Sequence, residues 1–344
     1  MIIKKVKYSL VFILILMGFL AIILFWSASF LDYNAPVKSG NTVVEGWLQA
    51  CELEQIADRL QNVNTLIVVG NTYSDNNKFV QDYFNEKRPD NSGKGRWLYA
   101  NSTLIFDPEL LNLKTTDDSL HIIVRAKGTE AAGQSAHFNL IVNGKFSGDN
   151  FSTGKMKDYS FDLVNDDDGL KAVAVRFDND CGFDGEDRNL FVYSIIIDGE
   201  QIVAGKSNSL ITNSENRFTT GFASKAEVTL NYLKAIGMEP KSSHTVSFTP
   251  ARENQTYAAA MEFRKWIVKT DIQSFNIVSA GVHSRRTWIT YKSVLGDSFE
   301  IGIVSLETEK YGKNSWWQSV RGIGMMIDEL FSYIGCTVQC SFNK

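Results

Sequence analysis

The stretch FDNDCGFDGEDRNLFVYSIIIDG, Phe177–Gly199, sets five carboxylates against an apolar run. Asp178, Asp180, Asp184, Glu186 and Asp187 crowd one loop, and their mutual repulsion is costly unless water or a cation neutralises it. Leu190–Ile197 then reads as a strand closed by the turn dipeptide Asp198-Gly199. The same pattern recurs upstream. Leu120, Ile122, Val124 and Ala126 alternate with His121, Ile123, Arg125 and Lys127. Phe138, Leu140 and Val142 alternate ahead of Asn143-Gly144, and Val173, Val175 and Phe177 share one face. Period-2 runs broken by turn signals predict an all-β sandwich over residues 92–204.

The text on either side of the sandwich alternates strand and helix. Thr42–Glu45, Leu48–Leu60 and Thr65–Val69 read as strand, helix and strand. Ser224–Ile236 reads as a helix stopped by Gly237, followed by strand His244–Phe248, helix Asn254–Val268 and strand Phe275–Ala280. Helix Ser284–Leu295, strand Ile301–Ser305 and a helix over Trp316–Ile334 complete the series. The class predicted is α/β: a Rossmann-like open parallel sheet in two parts, residues 41–82 and 206–335. The sandwich is inserted in the loop between the second strand and the helix at Ser224.

A formal net charge of −4 with no basic stripe excludes a nucleic-acid partner. Lys4, Lys5 and Lys7 precede an uncharged run, Leu10–Trp26. A helix over residues 8–26 would be roughly 28 Å long, which predicts an N-terminal transmembrane helix in the inner membrane. The basic flank keeps that end cytoplasmic and leaves the bulk of the chain periplasmic or extracellular. A cleaved signal peptide is the rival reading, with Ser27-Ala28-Ser29 near the cut; both export the remainder. Cys51, Cys181, Cys336 and Cys340 fit an oxidising compartment. Cys336 and Cys340 either pair or stay thiols, and their spacing with four scattered histidines assigns no zinc site.

The acidic loop is no EF-hand. With Asp178 at position 1, Phe183 takes the place of the turn glycine and Asn189 that of the bidentate glutamate. Composition leaves two readings, a calcium site of another geometry or a solvated loop. VRAKGTEAAGQSAHFNLIVNGK (Val124–Lys145), YSFDL (Tyr159–Leu163) and VAVRFDNDCGFDGEDRNLFVYSIIIDG (Val173–Gly199) resemble the calcium-dependent xylan-binding carbohydrate module of family 60 and its relatives in family 36. The resemblance implies a Ca²⁺ held by loop carboxylates and bound directly by vicinal sugar hydroxyls. By position its ligands are Asp180, Asp187 and Glu130, and the partner is a xylan-like or envelope polysaccharide. Asp178, Asp184 and Glu186 are left between ligation and solvation, and Arg188 is read as pairing locally with an acid. Cys181-Gly182-Phe183 departs from the family pattern. Phe183 and Trp97 either stack on sugar or belong to the core.

Four polar clusters follow predicted strands: Glu45-Gly46-Trp47, Gly70-Asn71-Thr72, Thr249–Arg252 and Gly281–Arg286. In open α/β sheets ligands bind beyond the carboxyl ends of strands, so these loops predict one crevice. Gly281 leading into a helix at Ser284, with Arg252, Arg285 and Arg286, reads as an anion site. VVEGWL, GFASKAEVTLNYLKAIG, ARENQTYAAAMEFRKWI and VSAGVHSRRTWITYKSVLG resemble the YdcF/SanA/ElyC-like envelope proteins (domain of unknown function family 218). Two departures stand out: EGW replaces the usual glycine-rich LGGG, and Lys225 replaces an acid. His283 and Glu45 are the candidate catalytic residues. Glu227 is either a ligand contact or part of a helix-capping box from Ser224. The sequence thus predicts a membrane-anchored exported protein. A calcium-dependent sandwich binds carbohydrate, and a YdcF-like crevice takes a phosphorylated or lipid-linked sugar in envelope polysaccharide metabolism. Hydrolase or transferase action is left open, and the alternative is a non-enzymatic glycan-binding envelope factor with a structural calcium site.

Overall fold

The computed structural model describes residues 15, 17–19, 22–60, 63–75, 94–107, 111, 119–164, 170–183, 185–206, 208–213, 215–250, 254–308 and 316–342, the last helix with side chains to 338. They fall into two compact units. One takes in Asp58–Val69, Glu239 onward and the described residues up to Leu48; the other takes in Gln49–Ala57 and Gly70–Met238.

The first unit is built on a five-stranded sheet. Its spatial order is Ser242–Phe248, Thr65–Asn71, Asn41–Glu45, Ser274–Ala280 and Glu300–Leu306, which is 3-2-1-4-5 along the chain. Asn41–Glu45 pairs parallel with Thr65–Asn71 and Ser274–Ala280, and the latter pairs parallel with Glu300–Leu306. The short runs TVV, TLIVV and IGIV are β-branched and apolar without alternation, as strands covered on both faces require. Val43, Ile67, Phe275, Ile277 and Ile303 are fully buried, with Phe263 of helix Gln255–Ile267 and Tyr291 of helix Ser284–Leu295 in the same core. The strand order turns back between Asn41–Glu45 and Ser274–Ala280, which is where such a sheet opens a crevice. Most of the predicted membrane helix lies outside the described residues, of which 22–31 are helical. No helix among the described residues is long and apolar enough to cross a membrane.

The second unit contains the predicted sandwich as two antiparallel sheets. One orders Lys157–Val164, Ser119–Gly128, Leu190–Ile197 and Glu200–Val203, with Arg96–Leu98 also paired to Leu190–Ile197. The other orders Ser209–Thr212, Ser102–Phe106, Val173–Phe177, His137–Val142 and Lys145–Phe151. Leu120, Ile122, Val124 and Ala126 point into the core with Phe138, Leu140, Val175 and Phe177, as their alternation requires. Leu190 and Val192 also point in, but so do Ile195 and Ile197. A register shift between Val192 and Ser194 resets the phase, so a bulge at Tyr193 lets one strand keep its apolar side inward throughout. Asn143-Gly144 and Asp198-Gly199 both turn with positive φ at each residue, the twist that tight hairpins need.

The units divide otherwise than the sequence boundaries. Ser209–Thr212 pairs with Ser102–Phe106, so the sandwich runs past residue 204 to Thr212. Helix Lys225–Ala235 and helix Ala50–Arg59 as far as Ala57 belong to the compact unit of the sandwich, not to that of the parallel sheet. The physical reason is a set of bonds that alternation cannot reveal. Cys51 and Cys181 form a disulfide across 130 residues, and Tyr232 Oη donates to Glu54 Oε1 at 2.5 Å. Closing so long a loop predicts that the double variant Cys51→Ser, Cys181→Ser loses about 2–4 kcal/mol. A lowered urea midpoint for this unit, reproduced by reducing agent on the wild type, is the expected result.

Candidate functional site

Arg188 holds the acidic loop in place. Its side chain is fully buried, and its guanidinium donates to Glu54 Oε1 at 2.7 Å and Glu54 Oε2 at 3.2 Å. The same group donates to the carbonyls of Gln134 at 3.1 Å, Asn179 at 2.9 Å and Ala131. The reading that Arg188 pairs locally is therefore corrected: its acid lies 134 residues away, on helix Ala50–Arg59. A buried guanidinium needs both a counter-charge and acceptors for its several N–H groups, and only carbonyls of both loops plus Glu54 supply them.

Asp178 is likewise not solvated. It is buried and accepts hydrogen bonds from Asn139 Nδ2 at 2.6 Å and from His137 Nδ1 at 2.7 Å. Asp149 lies 3.3 Å from His137 Nε2. Burial pulls the His137 pKa down, but the two carboxylates outweigh it and raise the imidazole to about 9. The hydrogen bond to His137 lowers the Asp149 carboxyl in turn.

The remaining described acids of the loop behave differently. Glu186 and Asp187 are exposed, as is Glu130 on the neighbouring hairpin Glu130–Ser135. Their hydrogen bonds come from neutral donors: Ser135 Oγ to Glu130 at 2.9 Å, Ala132 N to Glu186 at 3.1 Å, Asn189 Nδ2 to Asp187 at 2.9 Å. Asp180 is half-buried, and its N–H donates to Asn101 Oδ1 at 2.7 Å. The hairpins are tied by Thr129, which donates to the Asp187 carbonyl at 2.6 Å and accepts from Asn189 N at 2.7 Å. Exposed hard oxygens on two adjoining hairpins are the donor chemistry Ca²⁺ takes. Among the described residues no three His, Cys, Asp or Glu side chains are grouped tightly enough for a metal, and Asp184 lies outside them. Phe183 is 44% exposed at the tip of this loop, outside the core.

In the sheet unit, Glu45 ends the first strand and Gly281 follows the fourth. Glu45 is buried and accepts from Thr287 Oγ1 at 3.2 and 3.3 Å. His283 Nε2 lies 3.9 Å from Glu45 Oε1, is buried, and has no hydrogen-bond partner among the described residues. The Trp47 ring meets the imidazole edge-on at 4.8 Å. Gly281 takes a φ of 46°, a left-handed turn between the strand Ser274–Ala280 and His283. Arg286 donates to Glu329 at 2.6 and 3.1 Å and to Thr256 Oγ1 at 3.2 Å, and Glu329 lies 3.1 Å from His283 Nδ1. Burial alone would raise Glu329, but His283 and Arg286 outweigh it and hold the carboxyl at about 2. Glu329 was missed in the sequence, although a lone carboxylate in the helical stripe Met326, Glu329, Tyr333, Cys336, buried or half-buried throughout, is a readable signal.

The other predicted ligand residues are placed elsewhere. Arg285 donates to the Phe30 carbonyl and lies over the rings of Phe30 at 4.0 Å and Tyr33 at 4.1 Å. Glu227 accepts from Ala223 N at 2.7 Å while Ser224 Oγ accepts from Glu227 N at 3.3 Å, the work of a helix cap. Arg252 lies outside the described residues, as does the side chain of Cys340. The structure thus brings together Glu45, Gly281, His283 and Arg286, and separately the hairpins Glu130–Ser135 and Gly182–Asp187, which bear Glu130 and Asp187, with Asp180 just ahead of the second.

Residues 121–212 match the family described as the Ca-dependent, xylan-binding carbohydrate-binding module, CBM60. A selenomethionine form of vCBM60 is similar at 25% identity, covering 25% of this chain and 62% of that one, with a TM-score of 0.20. vCBM60 in complex with galactobiose is similar at 23% identity, covering 31% of this chain and 97% of that one, at 0.21. A CBM36 module in complex with calcium and xylotriose is similar at 18% identity, covering 33% of this chain and 94% of that one, also at 0.21. A search of curated proteins matched none. The match thus falls within the sandwich, and the family it points to is calcium-dependent and carbohydrate-binding.

The His137 network makes a prediction independent of sugar. Its folded pKa, about 9, lies above the ordinary 6.5, so its stabilisation is complete below 6.5 and lost as pH rises through 9. The melting temperature of the sandwich is expected to fall over that window, and to lose this dependence in His137→Gln.

Proposed function

We propose that this protein is anchored in the inner membrane by its N-terminal segment and holds a xylan-like or envelope polysaccharide through its sandwich. The observation that carries the reading is the match of residues 121–212, coinciding with exposed carboxylates on two hairpins locked by one buried arginine. Glu130, Asp180 and Asp187 would hold the metal, with Glu186 beside them. Bound there, Ca²⁺ supplies coordination positions that paired sugar hydroxyls fill in place of water. Arg188 and Thr129 keep the hairpins at a fixed separation, so the ordering cost is met in folding, not in binding. The Cys51–Cys181 disulfide supports the exported location, since such bonds persist in oxidising compartments.

For the Rossmann-like, YdcF-like part the proposal is narrower. The crevice takes a ligand that hydrogen-bonds His283 Nε2, between Glu45 and Trp47. Glu329 and Arg286 position the imidazole from its other side. Arg285 is engaged at Phe30 and Arg286 is neutralised by Glu329, so a phosphorylated or lipid-linked sugar would rely on Arg252 and the amino end of helix Ser284–Leu295. Hydrolysis or group transfer there, with His283 as acid or base, competes with a purely glycan-binding role. Turnover of phosphorylated sugars lost in His283→Ala separates the two.

Calorimetric titration of the full chain with soluble xylan tests the main reading. Binding is expected with calcium, abolished by chelator, and weakened at least tenfold in Asp187→Ala or Glu130→Ala, as loss of about 1.4 kcal/mol implies. Binding indifferent to chelator and to both variants would sink the calcium assignment. For the anchor, the chain is expected to stay in the membrane pellet after alkaline extraction, and release into the supernatant would count against it.

A further inference from the structure

Near the acidic hairpins, the outer face of one sandwich sheet carries aromatic rings that the core does not use. Leu98, Leu190 and Ala126 point inward, so their neighbours Trp97, Phe191 and Lys127 point outward. Pairing sets Phe191 between the other two, opposite Trp97 on one side and Lys127 on the other. Trp97 and Phe191 lie 5.0 Å apart between ring centres, and Lys127 Nζ is 5.7 Å from each. Tyr99, just beyond the strand, stacks on Trp97 at 5.9 Å and 19°.

Burial explains part of this cluster only. Phe191 is covered, because a Cβ at Gly95 would lie 2.2 Å from its ring. Tyr99 is 66% exposed and gains little burial by lying flat on Trp97. A solvent-facing tyrosine ring backed by the half-buried Trp97, beside an ammonium, is a surface for a ligand with an apolar face and hydroxyl edges, which describes a pyranose.

In sequence the cluster lies next to the acidic hairpins. Phe191 is four residues from Asp187, at most about 14 Å of chain, and Lys127 is three from Glu130. We infer that Trp97, Tyr99 and Lys127 form a second carbohydrate subsite, over which a neutral polysaccharide chain gripped at the calcium hairpins continues. The inference rests on the calcium reading proposed above. It makes the module a reader of long chains: the metal grips one sugar, and the rings and Lys127 take a later one.

The test compares soluble xylan with xylotriose, binding each to the full chain in calcium. Tyr99→Ala and Trp97→Ala are expected to lower xylan affinity roughly threefold to tenfold, the worth of one or two aromatic contacts, and to leave xylotriose affinity and the melting temperature unchanged. Tyr99→Ala is the safer variant, since its ring is mostly outside the fold. Unchanged xylan affinity in both variants overturns the subsite. So does an equal loss for both sugars, or an altered oligomeric state in place of a sugar effect. Failure of the wild type to bind either sugar in calcium overturns the calcium reading, and the subsite with it.

Discussion

A single buried guanidinium organises the second unit. Arg188 sits inside the protein with one counter-ion, Glu54, and three carbonyl acceptors, Ala131 and Gln134 of the hairpin Glu130–Ser135 and Asn179 of the acidic loop. Removing one partner of such a buried pair costs about 3–5 kcal/mol, because the other charge is left without compensation. The hairpins therefore cannot drift apart without exposing that debt. Their carboxylates Glu130, Glu186 and Asp187 are kept on the outside.

This arrangement divides the acids by role. Asp178 is drawn inside to neutralise His137, which keeps its proton because two carboxylates outweigh its burial. Glu130, Glu186 and Asp187 stay exposed with only neutral hydrogen-bond donors. A cation is the natural complement of the second group and has no place in the first. The same sorting occurs in the sheet unit. Arg285 is engaged by aromatic faces and a backbone carbonyl and Arg286 by Glu329, while His283 Nε2 faces Glu45 with no hydrogen-bond partner among the described residues.

Several features were legible in the sequence because they depend on short-range periodicity. Strand alternation at Leu120–Ala126, the apolar runs of the parallel strands, and turn dipeptides such as Asn143-Gly144 are local statements about which side of the backbone meets water. Glu45, Gly281, His283 and Arg286 could be gathered because a parallel sheet places the carboxyl ends of its strands together. Arg285 was misjudged for a reason of direction. It is next to Arg286 on a helix, and adjacent helical residues point to different faces.

The sequence by itself determined the parallel sheet, the sandwich and the carboxylate-rich loop, since each is written in periodicity or composition within a few tens of residues. Only the tertiary structure decided which acids are inside and which outside. It alone paired Cys51 with Cys181, Arg188 with Glu54, and Glu329 with His283 and Arg286. Each of those pairs joins residues 43 or more apart in the chain. Contacts at that distance follow from how the elements pack and leave no trace in local pattern.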